Sequence, residues 1–407
     1  MKPILGLLLI VLLIVGGSST DWEEKTVLTD DKLKEKSYEL AQKYIIADTH
    51  IDTPSRLFKE MKDISIRTES GDPDHPRAKE GGLNAAFMSI YIPAEYEKEG
   101  GARELADKLI HIVEKFASDW PEKFSIAASV ADVKAQFAQG RISAPMGMEN
   151  GAAVEGRLEN LKYFYDRRIR YITLTHSKDN HISDSSYDTT RTWRGLSPFG
   201  RDVVEEMNRL GIMIDVSHIS DDAFYQVMEL SRAPVIASHS SCRYFTPGWE
   251  RNMDDDMIQF LAKNGGVIQI NFGSSFVNDD YRIAVEPIRE YLETNNLTWD
   301  DEAAQEYIKR YREENSIDFA DISDVVSNFD HVVQLVGVDY VGLGSDFDGL
   351  GDSLPNGLKD VSYYPNLIYE LLKNGYSEED IRKICSENLF RVWSDVERIA
   401  HELQSAE

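Results

Sequence analysis

The chain has 407 residues, 42% hydrophobic and 10% aromatic, enough apolar mass for one large domain or two ordinary ones and too much for general disorder. A formal net charge of -27 argues against nucleic acid and anionic lipid surfaces as partners, because a field of that sign repels phosphate. A small anionic ligand would need its own local Arg or Lys, and the two cysteines, Cys242 and Cys385, allow at most one disulfide.

In chain order, residues 1–20 read as an export signal: Lys2, an apolar run from Ile4 to Val15, then Gly16-Gly-Ser-Ser19 before a charged start at Asp21. That run is short for a spanning helix, so a cleaved leader and a periplasmic or secreted chain are expected; left uncleaved, it would be an N-terminal membrane anchor. Residues 21–407 then form a single domain. A polar helical lead-in covers Asp30 to Lys43. Eight apolar, β-rich runs follow, at 44–52, 84–92, 144–149, 170–176, 211–218, 234–239, 265–271 and 340–346. Between them lie amphipathic helical stretches such as Arg103 to Ser118, Asp202 to Leu210, Asp222 to Ser231 and Asp254 to Asn264. Eight β-α alternations with near-continuous apolar strands predict an α/β fold, a (β/α)8 TIM-like barrel with its site at the carboxyl ends of the strands. Residues 280–319 are acidic and helical in pattern, an insertion before the last strand that reads as a lid or a partner-contacting arm.

What sits at the strand ends carries the chemistry. His50 and Asp52 end the first run and share one side of it, since a strand places i and i+2 together. Glu149 ends the third, His176 the fourth, His218 the fifth, His239 the sixth and Asp346 the last; four of the nine histidines of the chain are in this set. Three imidazoles (His50, His218, His239) and two carboxylates (Asp52, Glu149) exceed what one tetrahedral catalytic zinc takes. They suit two metals sharing a carboxylate, which at about 3.5–4 Å apart can hold a hydroxide between them. Asp346 is left as a proton shuttle and His176 as a partner for a developing oxyanion. Each residue taken singly has a structural alternative: Glu149 as a salt-bridge partner, His176 as a loop cap, Asp346 or Asp348 as strand-ending turn residues. Arg243 and Arg251-Asn252, close after His239, offer cations for a substrate carboxylate, or pairs for acids such as Glu250 and Asp254. The polar loop 177–186 is long enough to line the mouth. Both cysteines read as small buried residues, Cys242 being a distant candidate ligand.

At this point the chain resembles the membrane dipeptidases (renal dipeptidase family), zinc hydrolases of the amidohydrolase-like barrel superfamily. The resemblance rests on His50-Ile-Asp52, Gly147-Met-Glu149, Leu174-Thr-His176 with Asp179-Asn180 and Asp184-Ser185, Gly195-Leu-Ser-Pro-Phe-Gly200, Ile214-Asp-Val-Ser-His218, Ser238-His-Ser240, Arg251-Asn252 and Gly342-Leu-Gly-Ser-Asp-Phe-Asp-Gly349. It implies two zinc ions per chain, one on His50 and Asp52, the other on His218 and His239, with Glu149 bridging them. It further implies Asp346 as the acid/base, His176 on the tetrahedral intermediate, and Arg251 on the free carboxylate of a dipeptide. Homodimers, tolerance of a D-residue at the C-terminal position and, in some members, opening of carbapenem-type β-lactams also belong to that family. Three departures stand out: a small Gly273 after Asn271-Phe272, expected to widen the pocket; the bulky Tyr244-Phe-Thr-Pro-Gly-Trp-Glu250; and Ser386-Glu-Asn388 in place of a Gly-Gly-Asn pattern. Other readings of the barrel are a deaminase or lactonase-like amidohydrolase, or a non-catalytic periplasmic binding protein. Deaminases of this fold usually carry His-x-His where this chain has His50-Ile-Asp52, and no ligand position looks lost.

Overall fold

The computed structural model describes residues 29–295, 297 and 301–406; the expected export signal lies outside them. Ten strands form one parallel sheet: β1 (Ile46–Ile51), β2 (Leu83–Tyr91), β3 (Phe124–Ser125), β4 (Ile142–Ser143), β5 (Met146–Glu149), β6 (Ile169–Thr173), β7 (Met213–Asp215), β8 (Ile236–Ser240), β9 (Val267–Ile270) and β10 (Val341–Leu343). Eight of them close into a barrel in the order β1-β2-β5-β6-β7-β8-β9-β10, with β1 pairing both β2 and β10. These eight fall within or beside the eight runs read from the sequence. The sequence missed β3 and β4, two-residue strands too short to show a period, which pair with each other beside β2. Pro145, which has no N–H to give a ladder, separates β4 from β5.

Two shells of apolar side chains hold the barrel. Inside, Ala47, Phe87, Tyr171, Met213, Ile236 and Val267 come from alternate positions of the strands and rest on Phe390 and Trp393 of the C-terminal helix Asn388–Ala406. Phe87 and Trp393 meet at a tilt with ring centroids 5.2 Å apart, so the amino end of the barrel is plugged. Outside, the opposite strand faces pack against the helices in one continuous cluster. Local signals set the helix limits. Helix Pro198–Leu210 starts on Ser197, whose hydroxyl accepts from the N–H of Gly200, and ends at Gly211 with φ +81°, a left-handed conformation that costs glycine little. Helix Asp221–Leu230 is capped by Ser220 in the same way.

Between β9 and β10, helices Asp279–Thr294 and Glu302–Asn315 precede the barrel helix Ile322–Val336. They share a small core of their own built on Tyr281, Val285, Ile288, Leu292, Ala304 and Ile308. At the C-terminal departure from the resemblance, residues Lys383–Glu387 form a π-turn, and the Asn388 side chain donates to the carbonyls of Val338 and Val341 at 2.7 and 2.9 Å.

Candidate metal centre

All seven strand-end residues named from the sequence converge at the carboxyl end of the barrel. β1 is pinned first: Asp48 accepts from the N–H of His50 at 3.0 Å and of Ser345 at 3.1 Å, and from the Tyr364 hydroxyl, tying the first strand to the segment after the last. His50 Nε2 then lies 3.5 Å from Asp52 Oδ2, 3.5 Å from Glu149 Oε2 and 3.9 Å from Asp346 Oδ1. This nitrogen is buried and has no hydrogen-bond partner among the described residues. Opposite, Glu149 Oε1 lies 3.1 Å from His218 Nε2, 3.3 Å from His239 Nε2 and 3.5 Å from His176 Nε2. One carboxylate thus turns one oxygen to His50 and the other to the remaining imidazoles.

Three overlapping sets of ligand atoms each fit within 4.8 Å: His50, Glu149 and His239; Glu149, His176 and His218; and His50, Asp52 and Asp346. The residues fit a divalent metal cofactor. The donors are imidazole nitrogen and carboxylate oxygen, the mixture zinc takes, and His50 Nε2, faced by three carboxylates without a hydrogen bond among the described residues, is where a cation would be shared. Gly349 also leaves room: a Cβ there would stand 2.5 Å from both Asp52 Oδ2 and Asp346 Oδ1.

The electrostatics suit such a site. Burial pushes His218 and His239 well below the ordinary histidine pKa, helped at His218 by Arg251 and at His239 by His50, so both are neutral imidazoles, the form that binds metal. Burial opposes charge on Glu149, but His50 and His176 outweigh it and hold the carboxyl well below its usual range. Burial, with Asp52 and Glu149 adding to it, pushes Asp346 up to about 7. His218 and Asp346 both sit at positive φ, +70° and +66°, a backbone strain that non-glycine residues adopt where the surroundings impose it.

The remaining named residues divide. Arg251 is 2% exposed and donates to Ser240 Oγ at 2.8 Å, to the His239 carbonyl at 2.8 Å and to His218 Nε2 at 3.0 Å; among the described residues it pairs with no carboxylate. Arg243 and Asn252 are directed elsewhere, which corrects their reading as substrate contacts. Arg243 makes a forked pair with Asp221 at 2.6 and 2.7 Å and donates to the Asn252 carbonyl. The buried Asn252 amide donates to Thr246 Oγ1 and the Phe276 carbonyl, so both residues brace the loop that carries Arg251. Cys242 faces the Asn328 carbonyl and joins none of the ligand sets among the described residues; it and Cys385 are both free. The space beside Gly273 is not an open pocket: Phe276 and Leu350 would lie 2.8 and 3.0 Å from a Cβ there. Ring contacts surround the mouth, Tyr91 on His176 at 4.8 Å, Tyr187 on His218 at 5.9 Å, and Trp249 on Phe276 at 5.0 Å.

Sequence reading missed the residues behind the ligands. Asn271 donates to Asp346 Oδ2 at 2.8 Å, Tyr171 contacts His50, and Asp215 and Ser238 stand behind His239. The available signal was a charged or hydroxyl residue inside an apolar strand two or three places before a ligand, as in Asp48-Thr-His50 and Asp215-Val-Ser-His218.

The profile of the membrane dipeptidases, peptidase family M19, matches residues 34–407. The chain belongs to this family. It is a metallo-dipeptidase on an amidohydrolase-like barrel. An uncharacterized dipeptidase of Schizosaccharomyces pombe is 30% identical over 97% of this chain and 91% of its own length. Among solved structures, the probable dipeptidase PvdM of Pseudomonas aeruginosa superposes with a TM-score of 0.77 at 26% identity, covering 91% of this chain and 99% of that one. A metallo peptidase of Rhodobacter sphaeroides, liganded with a phosphinate mimic of the dipeptide L-Ala-D-Ala, gives 0.71 at 26% identity, covering 87% and 99%.

Proposed function

We propose that this M19 enzyme is an exported dipeptidase that holds two zinc ions and cleaves free dipeptides, accepting a D-residue at the C-terminal position. The observation that carries the two-metal reading is Glu149, whose Oε2 faces His50 while Oε1 faces His218 and His239. His50, Asp52 and Glu149 would hold one ion, and Glu149, His218 and His239 the other. Bound there, such ions supply an activated water and polarise the scissile carbonyl.

The protein groups do the rest. Asp346, fixed through Oδ2 by Asn271, titrates near neutrality and can take a proton on one step and return it to the departing amine on the next. His176, 20% exposed and neutral because burial lowers its pKa, can turn an N–H toward the carbonyl oxygen as negative charge develops there. Arg251 is a buried guanidinium without an acidic partner among the described residues, in a protein of net charge -27. An unpaired buried cation is costly, and the carboxylate of a free dipeptide would complete it. The mimic bound by the Rhodobacter sphaeroides relative supports acceptance of a D-residue. The apolar leader Ile4 to Val15 supports export, and among the described residues no helix is long and apolar enough to cross a membrane.

Metal analysis of the purified chain, followed by hydrolysis of a panel of L,L- and L,D-dipeptides, tests this reading. About two zinc per chain and turnover of both classes are expected. Fewer than two metals with every ligand intact, or no hydrolysis after zinc addition, overturns it.

A further inference from the structure

An imidazole binds a cation through one nitrogen only if the proton sits on the other, so whatever holds that proton decides which lone pair is presented. Two histidines of the centre are held in this way, by unrelated devices.

At His50, Nδ1 lies 2.9 Å from the Tyr171 hydroxyl, and that hydroxyl donates its single proton to the Thr49 carbonyl at 3.0 Å. A carbonyl can only accept, so the phenol oxygen must accept from His50. Nδ1 therefore carries hydrogen and Nε2 faces the carboxylates. The device is built into the barrel interior: Tyr171 is fully buried, and its ring crosses β5 at Gly147, where a Cβ would lie 1.9 Å from the ring.

At His239, Nδ1 lies 2.7 Å from Ser238 Oγ, which donates to Asp215 Oδ2 at 2.6 Å. Asp215 also receives the N–H groups of Ser217 and Ser238 at 3.0 and 2.8 Å and the Thr173 hydroxyl. Every contact of this carboxylate comes from a donor, so the serine proton is spent on it. Ser238 Oγ then accepts from Nδ1, and Nε2 of His239 is directed at Glu149. Among the described residues His218 has no such device, since its Nδ1 is buried without a hydrogen-bond partner there.

We propose that Tyr171 and the Ser238–Asp215 pair are positioning residues, each fixing the tautomer of one histidine and each serving a different cation of the pair. The inference rests on the two-ion reading of the site. His50 and His239 stack with ring centroids 3.7 Å apart but face different oxygens of Glu149, Oε2 and Oε1, and the devices reach them from different strands, so each acts on its own histidine.

The test is equilibrium dialysis of the full chain against zinc buffered by a graded chelator, with bound metal counted per chain. Wild type is expected to hold two ions. Tyr171→Phe should weaken one of them by about 10–100-fold while the other titrates as in wild type, and Ser238→Ala should do the same to one ion. The double variant should weaken both, which shows that the two devices serve different ions. Ser238→Thr, which keeps the hydroxyl, should resemble wild type. Thermal unfolding of the metal-free chains guards against a merely structural role. Wild type holding two ions with both single variants titrating identically to it overturns the inference. So does a parallel loss of both ions in each single variant with a lowered metal-free melting temperature. Wild type holding fewer than two overturns the two-ion reading instead.

Discussion

Gly349 offers the sharpest perturbation of the centre, because one added methyl would enter it. A Cβ on this residue would stand 2.5 Å from Asp52 Oδ2 and 2.5 Å from Asp346 Oδ1, where ordinary contact begins near 3.4 Å. Each oxygen must retreat by about 0.9 Å, or the loop after β10 must move by as much. Displacement of a reacting group by about 1 Å costs on the order of 100-fold in rate, about 2.7 kcal/mol of transition-state stabilisation. Gly349→Ala is therefore expected to lower kcat/KM on a good dipeptide by about two orders of magnitude. Its metal-free melting temperature should change little, since Gly349 is not among the positive-φ glycines. Steady-state kinetics with parallel metal analysis make the measurement. A variant within threefold of wild type and still holding two ions would refute the placement of Asp52 and Asp346 around this point.

Arg251→Ala should raise KM for free dipeptides with a far smaller effect on a substrate whose carboxylate is blocked; equal losses on both would remove Arg251 from carboxylate binding. Asp346→Asn should lower kcat by about 100- to 10,000-fold with both metals retained, and loss of a metal in this variant would make Asp346 a ligand rather than a proton carrier. Asp72 and Asp348 each accept the other's backbone N–H, at 2.7 and 2.9 Å, and burial, then the Asp348 charge, pushes Asp72 up to about 8. The folded chain keeps a proton there that the unfolded chain releases near the ordinary carboxylate value, so this contribution to stability is present at low pH and is lost as pH rises from about 4 to about 8. Asp72→Asn should flatten the fall in melting temperature across that range, and curves that stay parallel for variant and wild type would contradict the assignment.

The barrel was legible because each wall strand is buried on both faces and so reads as an apolar run, while the helices between them keep a 3.6-residue period. The two-residue strands β3 and β4 carry no such signature. Ligands were legible for a different reason: His50, Glu149, His218 and His239 terminate apolar runs, where a polar side chain is conspicuous. Arg243 and Arg251 were not separable in sequence, since both are arginines in one loop, and only the fold reveals that Asp221, twenty-two positions upstream, occupies the first. Tyr171 escaped notice because a tyrosine inside a strand looks like core; its hydroxyl acquires meaning only when β1 is brought beside it.

Helices Asp279–Thr294 and Glu302–Asn315 bear on more than access to the site. Their small core is separate from the barrel's, and they reach the catalytic face through Arg312 on Asp352 at 2.5 Å and Arg282 over the Trp249 ring at 5.9 Å. Those two anchors lie in the loops that follow Asp346 and precede Arg251. The arm is thus a cassette: its length and sequence can drift, or be exchanged by grafting, with the change felt at loop contacts such as these and no ligand residue rewritten.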